Sequence, residues 1–370
     1  MKISKIESIL LDIPVPQPQT RTFGTYEHIN SIIVRLQTDE GLEGVGETAI
    51  CGGPNWSPDF AEGVKIIIDR YLAPGLLGKD PRSITAITNW MERVVRGNRF
   101  AKATIELSLF DIVGKALKVP VYELLGGAVR NRIPVGWILN LDRPQAAVEE
   151  AEAWLEKDIT HFKLKVGGRA LADDLARVET VVRSVGDRAV IRVDANQGWD
   201  EITALDGAKQ LASMGVQLLE QPIAAWNIDG LARLRSIASI PVMVDESLHT
   251  PNDALALVNR KAADIFCLKL AKLGGILGTK KVTAIAEAAG LPCFLSMMLE
   301  SSIGTAASVH FAASENAITY GSELIGPLFL RDDIAQEPIR YEGGCVLVPH
   351  GPGLGVHLDE DKVRYYRREL

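Results

Sequence analysis

A chain of 370 residues is too long for one ordinary compact domain and suits a barrel with a smaller partner. Its 47% hydrophobic and 24% charged residues are those of a folded protein with a large core, which excludes long disorder. Forty Lys and Arg against 47 Asp and Glu give a net charge of −7 with no basic run, which argues against nucleic acid as a partner, and no apolar run nears the ~18 residues of a membrane span.

The amino terminus, Met1-Lys2-Ile3-Ser4-Lys5, leads into a short alternating segment that Pro14 should break. It lacks the unbroken apolar core of a signal peptide, so a cytosolic protein is expected. Residues 21–30 read as a loop, in which His28 stands out among the six histidines as a candidate to line a pocket. Ile32 to Gln37 and Leu42 to Glu47 read as two strands of a hairpin turning at Asp39-Glu40-Gly41. Helical spacing follows over about 59–73, 81–96 and 99–118; in the last, Ile105, Leu109, Ile112, Val113 and Ala116 share a face, and Pro120 lies just beyond the end.

From about residue 133 short apolar strands alternate with amphipathic helices, the pattern of βα units around a parallel sheet. Strands are expected at 133–138, 162–166, 189–194, 216–220, 241–245, 264–269, 292–296 and 317–321, and eight of them suggest a barrel. The helix at about 276–289 places Val282, Ile285, Ala286 and Ala289 on one face, as an outer helix should. After about residue 322 the pattern breaks into Gly- and Pro-rich stretches and ends in a charged helix near 359–369. The four cysteines are widely scattered and read as reduced thiols filling space.

Charge falls at strand ends. Lys165, Asp194, Glu220, Asp245 and Lys269 each close an expected strand, at intervals of 29, 26, 25 and 24 residues, about one βα unit apiece. In a parallel barrel all five ends meet at the mouth that carries active sites. Phe162-Lys163-Leu164-Lys165-Val166 alternates, so Lys163 and Lys165 share a face; two like charges in a partly desolvated lumen favour a neutral, proton-accepting Lys165. Asp194, Glu220 and Asp245 cannot all be buried, ionised and unpaired. A hard divalent cation resolves this, with Mg²⁺ the natural choice beside a substrate carboxylate; the alternative is salt bridging to a barrel residue such as Arg192. Asn196 and Glu246 adjoin these carboxylates as candidate supports or as plain turn and surface polarity. Lys269 stands roughly opposite Lys165 around an eight-strand ring, so a proton can be moved on either face of an α-carbon. Lys272 reads as a loop charge, and Glu300 faces the mouth as a group that orients substrate or a lysine, or as a loop carboxylate.

These residues carry a resemblance. Phe162-Lys163-Leu164-Lys165, Arg192-Val193-Asp194-Ala195-Asn196-Gln197, Leu219-Glu220-Gln221-Pro222, Asp245-Glu246-Ser247, Leu268 to Gly275, Leu124-Leu125-Gly126-Gly127 and Glu323 to Leu328 resemble the muconate lactonizing branch of the enolase superfamily. The resemblance implies a (β/α)₇β TIM-like barrel with an α+β capping domain: residues 1–125 as cap, 126–321 as barrel, and 322–370 returning to the cap. It implies Mg²⁺ or Mn²⁺ on Asp194, Glu220 and Asp245, Lys165 and Lys269 as acid/base groups, a small carboxylate substrate, and a homo-octamer. The shared chemistry is an enolate formed next to a carboxylate, its charge stabilised by the metal; muconate would close to a lactone. Arg93 to Lys102, Cys51-Gly52-Gly53-Pro54 and Glu323 to Leu328 are closer to muconate and chloromuconate cycloisomerases than to amino-acid racemases. Leu295-Ser296-Met297 departs from the small residues and threonine those enzymes carry. Racemisation or epimerisation of N-acylamino acids or dipeptides, dehydration of a hydroxyproline, and a catalytically silent metal-binding barrel are the competing readings.

Overall fold

The computed structural model describes residues 1–21, 24–139 and 143–370. The chain opens as an antiparallel meander of β1 (Ile3–Arg21), β2 (Gly24–Thr38) and β3 (Glu43–Cys51). Pro14 does not end β1. Proline lacks an N–H, but the β1–β2 ladder shifts register between Pro14 and Gln19 and resumes at the Gln19–Tyr26 pair, so a bulge absorbs the missing donors. Of the expected 21–30 loop, residues 22 and 23 lie outside the described residues, and 24–30 form the start of β2. There Tyr26 and Ile29 are buried while His28 is exposed, so Tyr26 and not His28 faces the interior.

The helix Arg99–Leu117 packs its buried face on β3. Gly46 permits the close approach: a Cβ there would stand 2.2 Å from the Thr104 carbonyl oxygen. The two helical segments before it are Ala61–Ile67, continuing to Leu76 through a π-helical turn, and Ile84–Val94.

A short strand β4 (Arg132–Pro134) precedes the parallel sheet, which runs in chain order from β5 (Trp137–Leu139) through β6 (His161–Lys165), β7 (Val190–Asp194), β8 (Leu219–Glu220), β9 (Val242–Val244), β10 (Ile265–Leu268) and β11 (Cys293–Leu295) to β12 (Ile318–Ser322). The sheet curls until its ends meet: Val135 bridges Ser322, and the Gly136 N–H donates to the Ser322 carbonyl at 2.8 Å. The first expected barrel strand, 133–138, is therefore two pieces. Pro134 and Gly136 interrupt it, and β4 pairs with β14 (Cys345–Leu347), itself in a hairpin with β13 (Tyr341–Glu342). The closing helix is Glu360–Tyr366, shorter than expected, because Arg367–Arg368 form β15 against Leu10 and Leu11 of β1.

The barrel is filled and is not a pore. Leu218, Met243, Ile265, Cys267 and Phe294 form a buried layer inside it, with Tyr320 against them. Arg192 lies below, 4.9 Å from the Phe294 ring, donating to Gln217 and to the Tyr320 carbonyl, both at 2.7 Å. Side chains alternate along a strand, so the residues two places beyond Leu218, Met243 and Cys267, namely Glu220, Asp245 and Lys269, also turn inward, one layer higher. No helix among the described residues is long and apolar enough to cross a membrane.

Candidate active site

Strand register sets the first half of the site. Lys165 pairs with Asp194 between β6 and β7, and Asp194 with Glu220 between β7 and β8, so the three stand in one row across three strand ends. The Lys165 ammonium donates to Asp194 Oδ2 at 2.5 Å and to Asn196 Oδ1 at 2.8 Å. Asn196 sits in a left-handed turn (φ 41°). From there its N–H meets Asp194 Oδ1 at 2.8 Å and its amide nitrogen donates to Glu246 Oε1 at 3.0 Å. One asparagine thus holds a lysine, Asp194 and Glu246 together.

Asp245 is built differently. Gln221 Oε1 accepts from the N–H groups of Asp245 (3.0 Å) and Ser247 (3.1 Å), fixing the end of β9 to the end of β8. Lys269 donates to Asp245 Oδ2 at 2.6 Å and Lys272 to Oδ1 at 2.5 Å. Lys272, expected as a loop charge, is fully buried in the one-turn helix Leu270–Leu273 that follows β10. Burial would raise the Asp245 carboxyl, but the two ammonium groups hold it far below the carboxylate range.

Lys163 lies deeper. Its ammonium is 3.2 Å from Glu220, 3.8 Å from Asp194 and in contact with Glu323. Burial opposes its charge, yet Glu220, Glu323 and Asp194 together hold it well above its ordinary value. The like-charge repulsion expected between Lys163 and Lys165 is thus offset by carboxylates on both. Glu220 is pushed up to about 8, by burial first and then by Asp194. Its Oε1 is buried with no hydrogen-bond partner, and its carboxylate lies within 4.8 Å of Asp245 and of the Cys267 thiol. Arg192 pairs with none of the three carboxylates, because it serves the barrel floor.

A narrow cavity of 60 Å³ opens beside these groups, and Asp194, Glu220 and Asp245 stand behind its lining. Lys163, Lys165, Asn196, Lys269 and Glu323 form its polar lining; Tyr26, Cys51, Trp56, Ile138, Ser296 and Met297 to Leu299 form the rest. The expected lysines therefore converge on one space. Glu300 does not line it: its carboxyl turns back to accept from the Met298 N–H at 2.9 Å, and burial pushes it up to about 7. Strand spacing missed Glu323 as a site residue, and the only signal for it was the motif from Glu323 to Leu328.

The wall beyond β11 is fixed from the N-terminal sheet. Glu47 of β3 is buried and accepts from Ser31 Oγ (2.6 Å), Ser301 N–H (3.1 Å), Ser301 Oγ (2.5 Å) and Gly304 N–H (2.8 Å). Met297, within the departure noted above, is held by the Gly326 N–H on its sulfur at 3.1 Å.

The mandelate racemase/muconate lactonizing enzyme N-terminal domain model matches residues 5–126, and the enolase C-terminal domain-like model matches residues 146–362. The chain belongs to the mandelate racemase/muconate lactonizing enzyme family. Among its relatives within this family, chloromuconate cycloisomerase of Pseudomonas putida is 41% identical over 369 residues, covering 100% of each chain. Muconate cycloisomerase 1 of Rhodococcus opacus is also 41% identical, covering 100% of this chain and 99% of its own. The crystal structure of muconate lactonizing enzyme from Pseudomonas fluorescens complexed with muconolactone superposes with a TM-score of 0.98 at 40% identity over 99% of both chains. That of 2-chloromuconate cycloisomerase from Rhodococcus opacus 1CP gives 0.97 at 39% identity over 100% of both. The barrel with its α+β cap and the isomerase character read from the motifs accord with these relatives.

Proposed function

We propose that this chain is a divalent-metal-dependent cycloisomerase that closes muconate, or a chlorinated muconate, to a lactone. The observation that carries the reading is the convergence of Lys165 and Lys269 on one narrow cavity beside three carboxylates from successive strands. Glu220 and Asp245 stand close enough to share a hard cation, with Asp194 of the adjoining strand as the third ligand: Glu220 Oε1 is an orphaned buried acceptor, and the Cys267 thiol beside it, pushed well above its ordinary value by burial first and then by Asp245, stays a neutral neighbour. Bound there, Mg²⁺ or Mn²⁺ supplies positive charge next to the substrate carboxylate as negative charge develops on it.

The side chains do the rest. One carboxylate oxygen of the substrate adds to the distant double bond, forming a C–O bond, and the electron pair moves to the carbon next to the other carboxylate. Lys165 or Lys269 delivers a proton to that carbon, and the same ammonium, once neutral, removes it in reverse. Asn196 and Asp194 aim Lys165; Asp245 aims Lys269; Lys163 keeps Glu220, Asp194 and Glu323 in place by charge. The ammonium groups of Lys163, Lys165 and Lys269 along the cavity suit an anionic substrate. We also infer a homo-oligomer, with the octamer as the resemblance implies it; Trp226 (82% exposed) and Ile202 (81%), large apolar side chains open to solvent, are candidates for its interface.

The test is a turnover screen of cis,cis-muconate, chloromuconates, N-acylamino acids, dipeptides and hydroxyprolines with Mg²⁺ or Mn²⁺. Loss of the muconate diene absorbance with formation of a lactone is expected. Exchange of the α-proton of an N-acylamino acid with deuterated solvent, without turnover of any muconate, would replace lactonization by racemisation. Failure to take up either metal would leave the silent barrel.

A further inference from the structure

Strand spacing says nothing of Trp56. It lies on the loop after β3, where Gly52 and Gly53, at φ values of 69° and 89°, turn the chain and Asn55 closes the turn on the Gly52 carbonyl at 2.9 Å. The loop sets the indole over the end of β10. The Lys269 ammonium is 4.1 Å from the centre of the Trp56 ring while it donates to Asp245 at 2.6 Å. The His249 ring is 6.1 Å from the indole, with the planes tilted by 42°.

We propose that Trp56 is a positioning residue for Lys269, its indole face covering the ammonium and holding it in the cavity. The inference rests on the reading of Lys269 as an acid/base group.

A lysine has a flexible four-carbon stem, and Asp245 restrains its head from one side only. An indole presents the negative face of its quadrupole to a cation, more strongly than Phe or Tyr, and gains from the contact most where water is excluded. Lys269 meets that condition, with its side chain 8% exposed. The two lysines are held by different means. Lys165 is tied by Asp194 and by the amide of Asn196, whose partners all belong to the barrel. Lys269 is held by a barrel carboxylate and by a ring reaching in from the N-terminal sheet. The direction of its ammonium therefore depends on how that loop sits, which gives the loop a part in the proton step without its touching the carboxylates.

The experiment compares Trp56→Leu and Trp56→Phe in the Mg²⁺-loaded enzyme on whichever carboxylate the screen identifies. A desolvated cation–π contact corresponds to roughly a thirty-fold loss of kcat for Trp56→Leu, with KM changed about threefold or less and part of kcat regained in Trp56→Phe. A second measurement is independent of turnover. In protein labelled with 5-fluorotryptophan, the ¹⁹F resonance absent from Trp56→Phe identifies Trp56, and Lys269→Met should move that resonance. A kcat for Trp56→Leu equal to wild type while Lys269→Met is inactive would overturn the positioning role alone, as would an unmoved resonance. Full turnover by Lys269→Met would instead remove the acid/base reading on which the role rests.

Discussion

Glu106 offers a test of how far burial of a carboxyl controls stability here. It lies on the helix Arg99–Leu117, fully buried, and its two oxygens accept long bonds from the Leu277 N–H, at 3.3 and 3.4 Å. Burial, the largest cause, pushes it from 4.5 up to about 8, against the opposing pull of the Leu277 and Ile276 N–H groups and Lys281. The folded protein therefore binds a proton that the unfolded chain releases near 4.5, and stability falls as pH rises through that window. Integrating between the two values, stability changes little up to about pH 5 and drops by about 4 kcal/mol between about pH 5 and pH 9. For 370 residues that corresponds to about 5 °C in Tm. Glu106→Gln keeps the shape, replaces the carboxyl O–H by an amide N–H donor and removes the titration. Scanning calorimetry of both proteins across this range should show the variant gaining on wild type by about that amount toward alkaline pH, with near parity at about pH 5. Other buried carboxyls titrate in both proteins and cancel in the difference. Parallel pH profiles would refute the reasoning.

Three further outcomes are expected. Lys163→Met leaves Glu220, Asp194 and Glu323 without their shared cation and should cost about 3–5 kcal/mol in urea unfolding of the metal-free protein, with Mg²⁺ recovering part of it; an unchanged midpoint would show that these carboxylates are not charged together. Gln221→Leu removes the acceptor for the Asp245 and Ser247 N–H groups and should weaken Mn²⁺ affinity roughly 10–100-fold by calorimetric titration, whereas wild-type affinity would mean that Asp245 is placed without it. Gly46→Ala drives a methyl into the Thr104 carbonyl and should destabilise by about 1–3 kcal/mol or more, and a wild-type Tm would contradict the packing of β3 on the helix Arg99–Leu117.

The barrel and the row of charges at its mouth were readable because both repeat. A βα unit has a narrow range of lengths, so Lys165, Asp194, Glu220, Asp245 and Lys269 recur at nearly constant intervals, and alternation of side chains does the aiming. What did not repeat was not readable. Lys272 follows β10 by only a few residues, where a loop and a single buried helical turn look alike. Glu323 comes just after Tyr320-Gly321-Ser322, a strand with too weak a pattern to count from. β1 passes three prolines because it bulges against β2 between Pro14 and Gln19, a property of the pair that neither strand shows alone. Glu300 follows β11 toward the mouth, but its carboxyl accepts from the Met298 N–H, a choice of rotamer that no spacing specifies. Trp56 and Tyr26 reach the cavity from another sheet, and that approach is set by packing between distant segments.

Glu47 has a consequence for any attempt to recombine this chain with its relatives. Its carboxylate ties β2, through Ser31, to the start of the helix Ser302–Ser314, and three of its four hydrogen bonds come from Ser301 and Gly304, on the segment that follows the cavity wall. A chimera joining the N-terminal sheet of one relative to the barrel of another inherits a buried acid only if Ser31, Ser301 and an N–H at position 304 come with it. Without them the acid sits desolvated and unpaired at the seam, and the mismatch is felt at the cavity wall rather than at the junction where the chains were spliced. The two parts are thus interchangeable as folds and not as components, and an exchange of specificity between relatives has to move this seam as a unit.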